Sequence, residues 1–106
     1  MSKKLTITTL LFEGFELLDV FGPLEMFGFA NVLKENIELK FVSEKGLPVK
    51  SSAGPVSVVD YSFSDVIRSD ILLIPGGAGT RIEVNNKTLI KWLSHQCKKT
   101  EIISSV

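Results

Sequence analysis

The sequence predicts an α/β domain built on a mostly parallel sheet, and three observations carry that prediction. Short apolar runs alternate with helical stripes in the order strand, helix, strand, hairpin, strand, helix, strand. Glycine or proline cuts off the apolar runs, most abruptly where Asp70 to Ile74 meets Pro75-Gly76-Gly77. A chain of 106 residues, 44% hydrophobic and 23% charged, has the composition of one globular domain, too short for two and too apolar for disorder.

The elements follow in order. Leu5 to Phe12, with β-branched Thr6, Ile7, Thr8 and Thr9, reads as a buried strand that Glu13-Gly14 ends. Leu17, Val20, Phe21 and Leu24 form a helical stripe. Pro23 interrupts it, and proline is tolerated in a first helical turn but not in the interior. The prediction is therefore a turn of helix near Glu16–Leu18 and a main helix from Pro23 to Leu33, with Asp19 at the junction. Ile37 to Val42 alternates apolar and polar residues and reads as a second strand. Pro48–Ser52 and Pro55–Val59 flank Ala53-Gly54 as a small hairpin. Ser62 is placed to cap a helical turn over Phe63–Ile67. Asp70–Ile74 is the most apolar strand. Asn85 or Asn86 caps a helix over Lys87–Lys99, whose core stripe would be Leu89, Leu93 and Cys97. Glu101–Val106 starts as another buried strand.

Several function classes drop out. Twelve basic residues balance twelve acidic ones, so no electrostatic pull toward nucleic acid or an acidic membrane is expected. The single cysteine, Cys97, rules out a disulfide within the chain and makes a reducing, cytoplasmic setting the expectation. Met1–Phe12 has a lysine pair before an apolar run, but the run is too short for a signal peptide and no small-residue cleavage site follows. No segment reaches the roughly 20 apolar residues that span a bilayer.

In a parallel α/β sheet, chemistry gathers at the carboxyl ends of the strands. Glu13-Gly14, Pro75-Gly76-Gly77 and the end of the last strand meet there. Asp19, set among Leu17, Leu18, Val20 and Phe21, is a candidate proton donor or acceptor for a thiolate. The alternative is a helix cap or an exposed turn residue. Gly76-Gly77 offers unobstructed N–H groups that can face developing negative charge, as an oxyanion hole does; the alternative is a plain turn needing positive φ. The run Gly76-Gly77-Ala78-Gly79 lacks dinucleotide-fingerprint spacing. Cys97 falls on a helical core stripe, where cysteine acts as a small hydrophobe, and is rejected as the nucleophile. His95 has no second ligand at metal-binding spacing, so no metal is expected. Arg81 reads as an anion anchor or a solvated loop residue, and Trp92 and Phe63 as packing residues.

Leu11-Phe12-Glu13-Gly14-Phe15-Glu16-Leu17-Leu18-Asp19-Val20-Phe21-Gly22-Pro23-Leu24-Glu25-Met26-Phe27 resembles the opening of the ThiJ/PfpI family, the DJ-one superfamily, and in particular its isonitrile hydratase-like branch. Leu72-Leu73-Ile74-Pro75-Gly76-Gly77-Ala78-Gly79-Thr80-Arg81 is similar to the second family block, and Ile102-Ile103-Ser104-Ser105-Val106 to the strand before the nucleophile. The resemblance implies a flavodoxin-like fold related to class I glutamine amidotransferases. It implies that Asp19 hydrogen-bonds a reactive cysteine and that the stretch Gly76, Gly77 and Ala78 binds the oxyanion, the Gly77 N–H together with the N–H of the residue after the cysteine. It implies a small-molecule substrate, a homodimer and no metal or organic cofactor. The family places its cysteine directly after the residues matching Ser105-Val106. Residues 1–106 are thus expected to be the N-terminal part of one such domain, ending just before the nucleophile elbow and incompetent alone. The remainder would come from a second chain or from sequence past Val106, and without it an apolar sheet face would stay exposed. A cysteine-dependent hydratase or hydrolase, most like isonitrile hydratase, is the expected activity. A ligand-sensing domain of a transcription regulator, or a redox- or aldehyde-responsive protective protein, are the alternatives.

Overall fold

The computed structural model describes residues 5–34, 36–65 and 67–105, with residues 31–34 known by their backbone alone. The expected α/β fold is present. Strands β1 (Leu5–Leu10), β2 (Ile37–Ser43), β5 (Tyr61–Ser62), β6 (Ile71–Ile74) and β7 (Ile102–Ser105) form one sheet in the order β5-β2-β1-β6-β7. Every pairing in it is parallel. Strands β3 (Val49–Lys50) and β4 (Val56–Ser57) make the small antiparallel hairpin, with the Gly54 N–H closing its turn onto the Ser51 carbonyl. Helix α1 (Leu17–Lys34) crosses from β1 to β2. The short α2 (Thr80–Glu83) and the longer α3 (Lys87–Lys99) cross from β6 to β7. The two crossovers leave β1 and β6 in opposite directions. Right-handed connections then put α1 and α3 on opposite faces, with a topological switch point between β1 and β6.

β1 takes the centre because Ile7, Thr8, Thr9 and Leu10 are all buried. The Thr8 hydroxyl pairs with that of buried Ser69 across to the β6 side. Asp70 staples the amino ends together, its carboxylate accepting the Thr6 N–H at 2.8 Å and its own N–H donating to the Thr6 carbonyl at 2.9 Å. β2 forms where expected, but its burial does not alternate: Ile37 to Phe41 are half-buried, and Val42 and Ser43 are both buried. Leu39 and Phe41 pack on the core, while Lys40 and Glu38 pair at 3.6 Å.

Four expectations need correction. The helix does not divide at Pro23: α1 is continuous from Leu17, and Asp19 lies in its first turn. An interior proline costs about 3 kcal/mol. Burial of Val20 and Leu24 on the core side offsets this, at about 1.5–3 kcal/mol for each side chain. No helical turn forms over the described part of Phe63–Ile67. Instead the Asp65 carboxylate accepts the Ser62 N–H at 2.8 Å, which closes a turn, and Val66 lies outside the described residues. Asn86 caps α3 as expected, accepting the Leu89 N–H at 3.2 Å, but the buried face is Leu89, Trp92 and Gln96. Leu93 and Cys97 are half-buried at its margin. The helix is turned by one residue because Trp92 stacks on Phe63, centroids 4.4 Å apart and rings 8° from parallel. Finally, β5 and α2 are elements too short to have been foreseen. In β7, the described part of the expected Glu101–Val106 strand, every residue is exposed, with Ile102 and Ile103 uncovered on the two faces of an edge strand.

Candidate active site

Two loops meet at the switch point. β1 runs through buried Leu11 and Phe12 into Glu13-Gly14, and Gly14 turns the chain at φ +83°. Phe15, fully buried, pins that turn before α1 begins. β6 runs through Pro75 into Gly76, Gly77 and Ala78, with Gly77 at φ +123°, and Gly79 leads into α2. The loops lie backbone against backbone. The Glu16 N–H donates to the Gly76 carbonyl at 2.9 Å, and the Gly79 N–H donates to the Gly14 carbonyl at 3.0 Å. A Cβ on Gly77 would stand 2.5 Å from the Gly14 oxygen, and one on Gly79 would run into the Glu13 carbonyl. Side chains at these positions would hold the loops apart.

Asp19 ties the helix to the second loop. It is half-buried, and its Oδ2 accepts the Gly76 N–H at 3.0 Å. Its place in the first turn of α1 also suits a carboxylate near the positive end of a helix. The Asp19 Oδ1 has no hydrogen-bond partner among the described residues. Beyond Gly76, the N–H groups of Gly77 and Ala78 are likewise without partners among the described residues, while Gly79 is engaged. An acid therefore stands one residue from two consecutive free donors. The turn reading of Gly77 is also fulfilled, since its φ is one that only glycine adopts freely. Turn and donor roles coincide there.

Sequence reasoning missed a third segment, the hairpin. The Glu13 Oε2 accepts the Lys50 N–H at 2.9 Å, the Gly14 N–H donates to the Lys50 carbonyl at 2.9 Å, and the Ser52 N–H donates to the Phe15 carbonyl at 2.9 Å. The hairpin thus braces the first loop from the side opposite the second. Only contacts distant in sequence make that visible.

Cys97 and His95 take no part. Cys97 lies half-buried on α3, where it lines a shallow groove with Ile90, Leu93, Ser94 and Lys98. His95 is exposed on the same helix and lines a second groove with Lys87, Lys91 and Lys98. Arg81 is exposed on α2. No group of three or more His, Cys, Asp or Glu among the described residues is arranged to hold a metal ion. No described helix is long and apolar enough to cross a membrane.

A protein of Streptomyces lividans, described as an uncharacterized protein in the cpoL 5' region, is 37% identical over 71 residues, 67% of this chain and 50% of its own. A ThiJ/PfpI family protein from Pseudomonas syringae superposes with a TM-score of 0.85 at 26% identity, over 99% of this chain and 42% of that one. Drosophila melanogaster DJ-1beta shares the fold at a TM-score of 0.76 and 21% identity, over 99% of this chain and 55% of that one. The chain thus spans about half the length of these relatives. The model of the DJ-1/PfpI family matches residues 5–106, a span that takes in the sheet and both loops, and the chain belongs to that family.

Proposed function

We propose that residues 1–106 supply the acid and the oxyanion donors of a cysteine-dependent hydratase acting on isonitriles. The observation that carries this reading is the Asp19–Gly76 hydrogen bond, which sets a carboxylate beside the unpartnered Gly77 and Ala78 N–H groups at the switch point. The nucleophile is a cysteine outside these residues, since Cys97 sits on α3 away from the loop pair. The β6–β7 register pairs Ile74 with Ser105. In the proposed sequence, the thiolate forms a bond to the isonitrile carbon, and Asp19 handles the proton that this carbon takes up. Water then adds to the resulting thioimidate, and the Gly77 and Ala78 N–H groups stabilise charge on its oxygen. Cleavage of the carbon–sulfur bond returns the thiolate and releases an N-substituted formamide. No metal or organic cofactor is needed for these steps.

A homodimer belongs to the same proposal. α1 leaves Leu18, Met26 and Phe29 exposed along the side away from buried Val20 and Leu24, an apolar surface suited to a second copy. The protein expressed through its own stop codon is expected to convert an alkyl isonitrile to the formamide, followed by chromatography. Intact mass of that preparation identifies the polypeptide carrying the nucleophile. Light scattering should give twice the protomer mass, and Phe29→Glu should halve it. An isonitrile left unchanged would overturn the hydratase reading.

A further inference from the structure

The charge on α3 is one-sided. The helix holds Lys87, Lys91, Lys98 and Lys99 and no Asp or Glu. Lys87 opens it, where the positive end of the helix dipole disfavours a cation. Lys91 stands four residues on, a spacing at which like charges repel and a Glu–Lys pair would support the helix. None of the four lysines forms an ion pair with a described carboxylate. The whole chain is neutral, so the excess is local. A helix whose charges oppose its own local preferences marks a place where something other than folding sets the residues.

The exposed side of α3 presents two adjoining rows. Lys87, Lys91, His95 and Lys99 recur every fourth residue, about 6 Å apart along the axis. Ile90, Ser94 and Lys98 lie beside them, also exposed. Val84, Lys87, Ile90, Lys91, His95 and Lys98 line a groove of about 610 Å³. α1, which carries the surface proposed for a second copy, lies on the other face of the sheet, so the groove stays open in a dimer formed there.

We propose that this groove docks an acidic amphipathic helix of a partner protein. Glutamates four residues apart on such a helix repeat the spacing of Lys87, Lys91 and His95, and an apolar side chain on its adjoining row meets Ile90 and Val84. A nucleic acid would satisfy the lysines but set phosphate against Ile90, 44% exposed, and Val84, 65% exposed. A bilayer surface would span the groove without entering it. The proposal is independent of the hydratase reading.

The test is fluorescence anisotropy on the protein expressed through its own stop codon. The probe is a fluorescein-labelled synthetic helix with Glu at every fourth position and Leu on the adjoining row, and the control replaces Glu by Gln. The wild type is expected to bind the Glu helix about tenfold or more tighter than the Gln helix, with affinity falling as salt is added. Lys87→Glu combined with Lys91→Glu lowers that affinity by about tenfold or more and transfers binding to a helix with Lys in place of Glu. The melting temperature of the double variant does not fall, because a glutamate at position 87 suits the start of α3, so lost binding is not lost folding. A wild type that does not distinguish the Glu helix from the Gln helix overturns the proposal, as does a double variant that binds like the wild type. Tighter binding of single-stranded DNA or of phosphatidylserine vesicles than of the Glu helix also overturns it, since the groove then reads charge alone.

Discussion

Asp19→Asn is expected to lower formamide formation by roughly 10²–10⁴-fold while leaving the fold intact. The reason lies in the two ends of the side chain. The Asp19 Oδ2 accepts the Gly76 N–H at 3.0 Å, and an asparagine carbonyl can take over that bond, so α1 remains tied to the second loop. What the amide cannot do is hold or release the proton that the proposed reaction assigns to Asp19. Asp19→Ala gives the contrasting result. It leaves the Gly76 N–H without its acceptor, at a cost of about 1–3 kcal/mol, toward the lower end because Asp19 is half-buried and water can reach the site. Rate measurements and thermal melts on the two variants separate the roles: asparagine loses rate alone, alanine loses rate and stability. A wild-type rate in Asp19→Asn would remove Asp19 from the mechanism.

The identities of the candidate residues were legible in the sequence, and their connections were not. Asp19 stands out as an acid within an apolar stretch and Gly76-Gly77 as a glycine pair after the most apolar strand. Both signals are local. The bond that joins them spans 57 positions, and the brace from Glu13 to the hairpin spans 37, so neither can be read from neighbouring residues. The same division runs through the fold. β1, β2, β6 and the cap at Asn86 follow from local pattern. The face of α3 does not, because it is set by Trp92 stacking on Phe63 from another part of the chain. Proline at position 23 was read by its intrinsic cost, whereas burial of Val20 and Leu24 on the same helix decides the outcome.

The second large effect is expected for Gly77→Ala, and it follows from space before chemistry. A Cβ at this position would lie 2.5 Å from the Gly14 oxygen and 2.7 Å from the Glu16 nitrogen, both backbone atoms that cannot swing aside. The φ of +123° adds strain that any L side chain would bear. Together these cost about 3 kcal/mol or more, which lowers the melting temperature by on the order of 10 °C. Relief requires the two loops to part, and parting them breaks the Glu16–Gly76 and Gly79–Gly14 bonds that orient the Gly77 N–H and seat Asp19 beside it. Loss of a single aligned oxyanion donor costs about 10²–10³-fold in kcat, so activity should fall even in the folded fraction. Gly28→Ala is the matched control, because a Cβ there meets nothing within 4 Å and the residue lies inside α1. Replacing a helical glycine by alanine stabilises by about 0.5–1 kcal/mol, so this variant should melt slightly higher and turn over normally. Opposite shifts for the same chemical change would locate the requirement in the closeness of the two loops. Equal melting temperatures would mean that the loops have room to separate, and that Gly77 is not needed to bring the acid and the donors together.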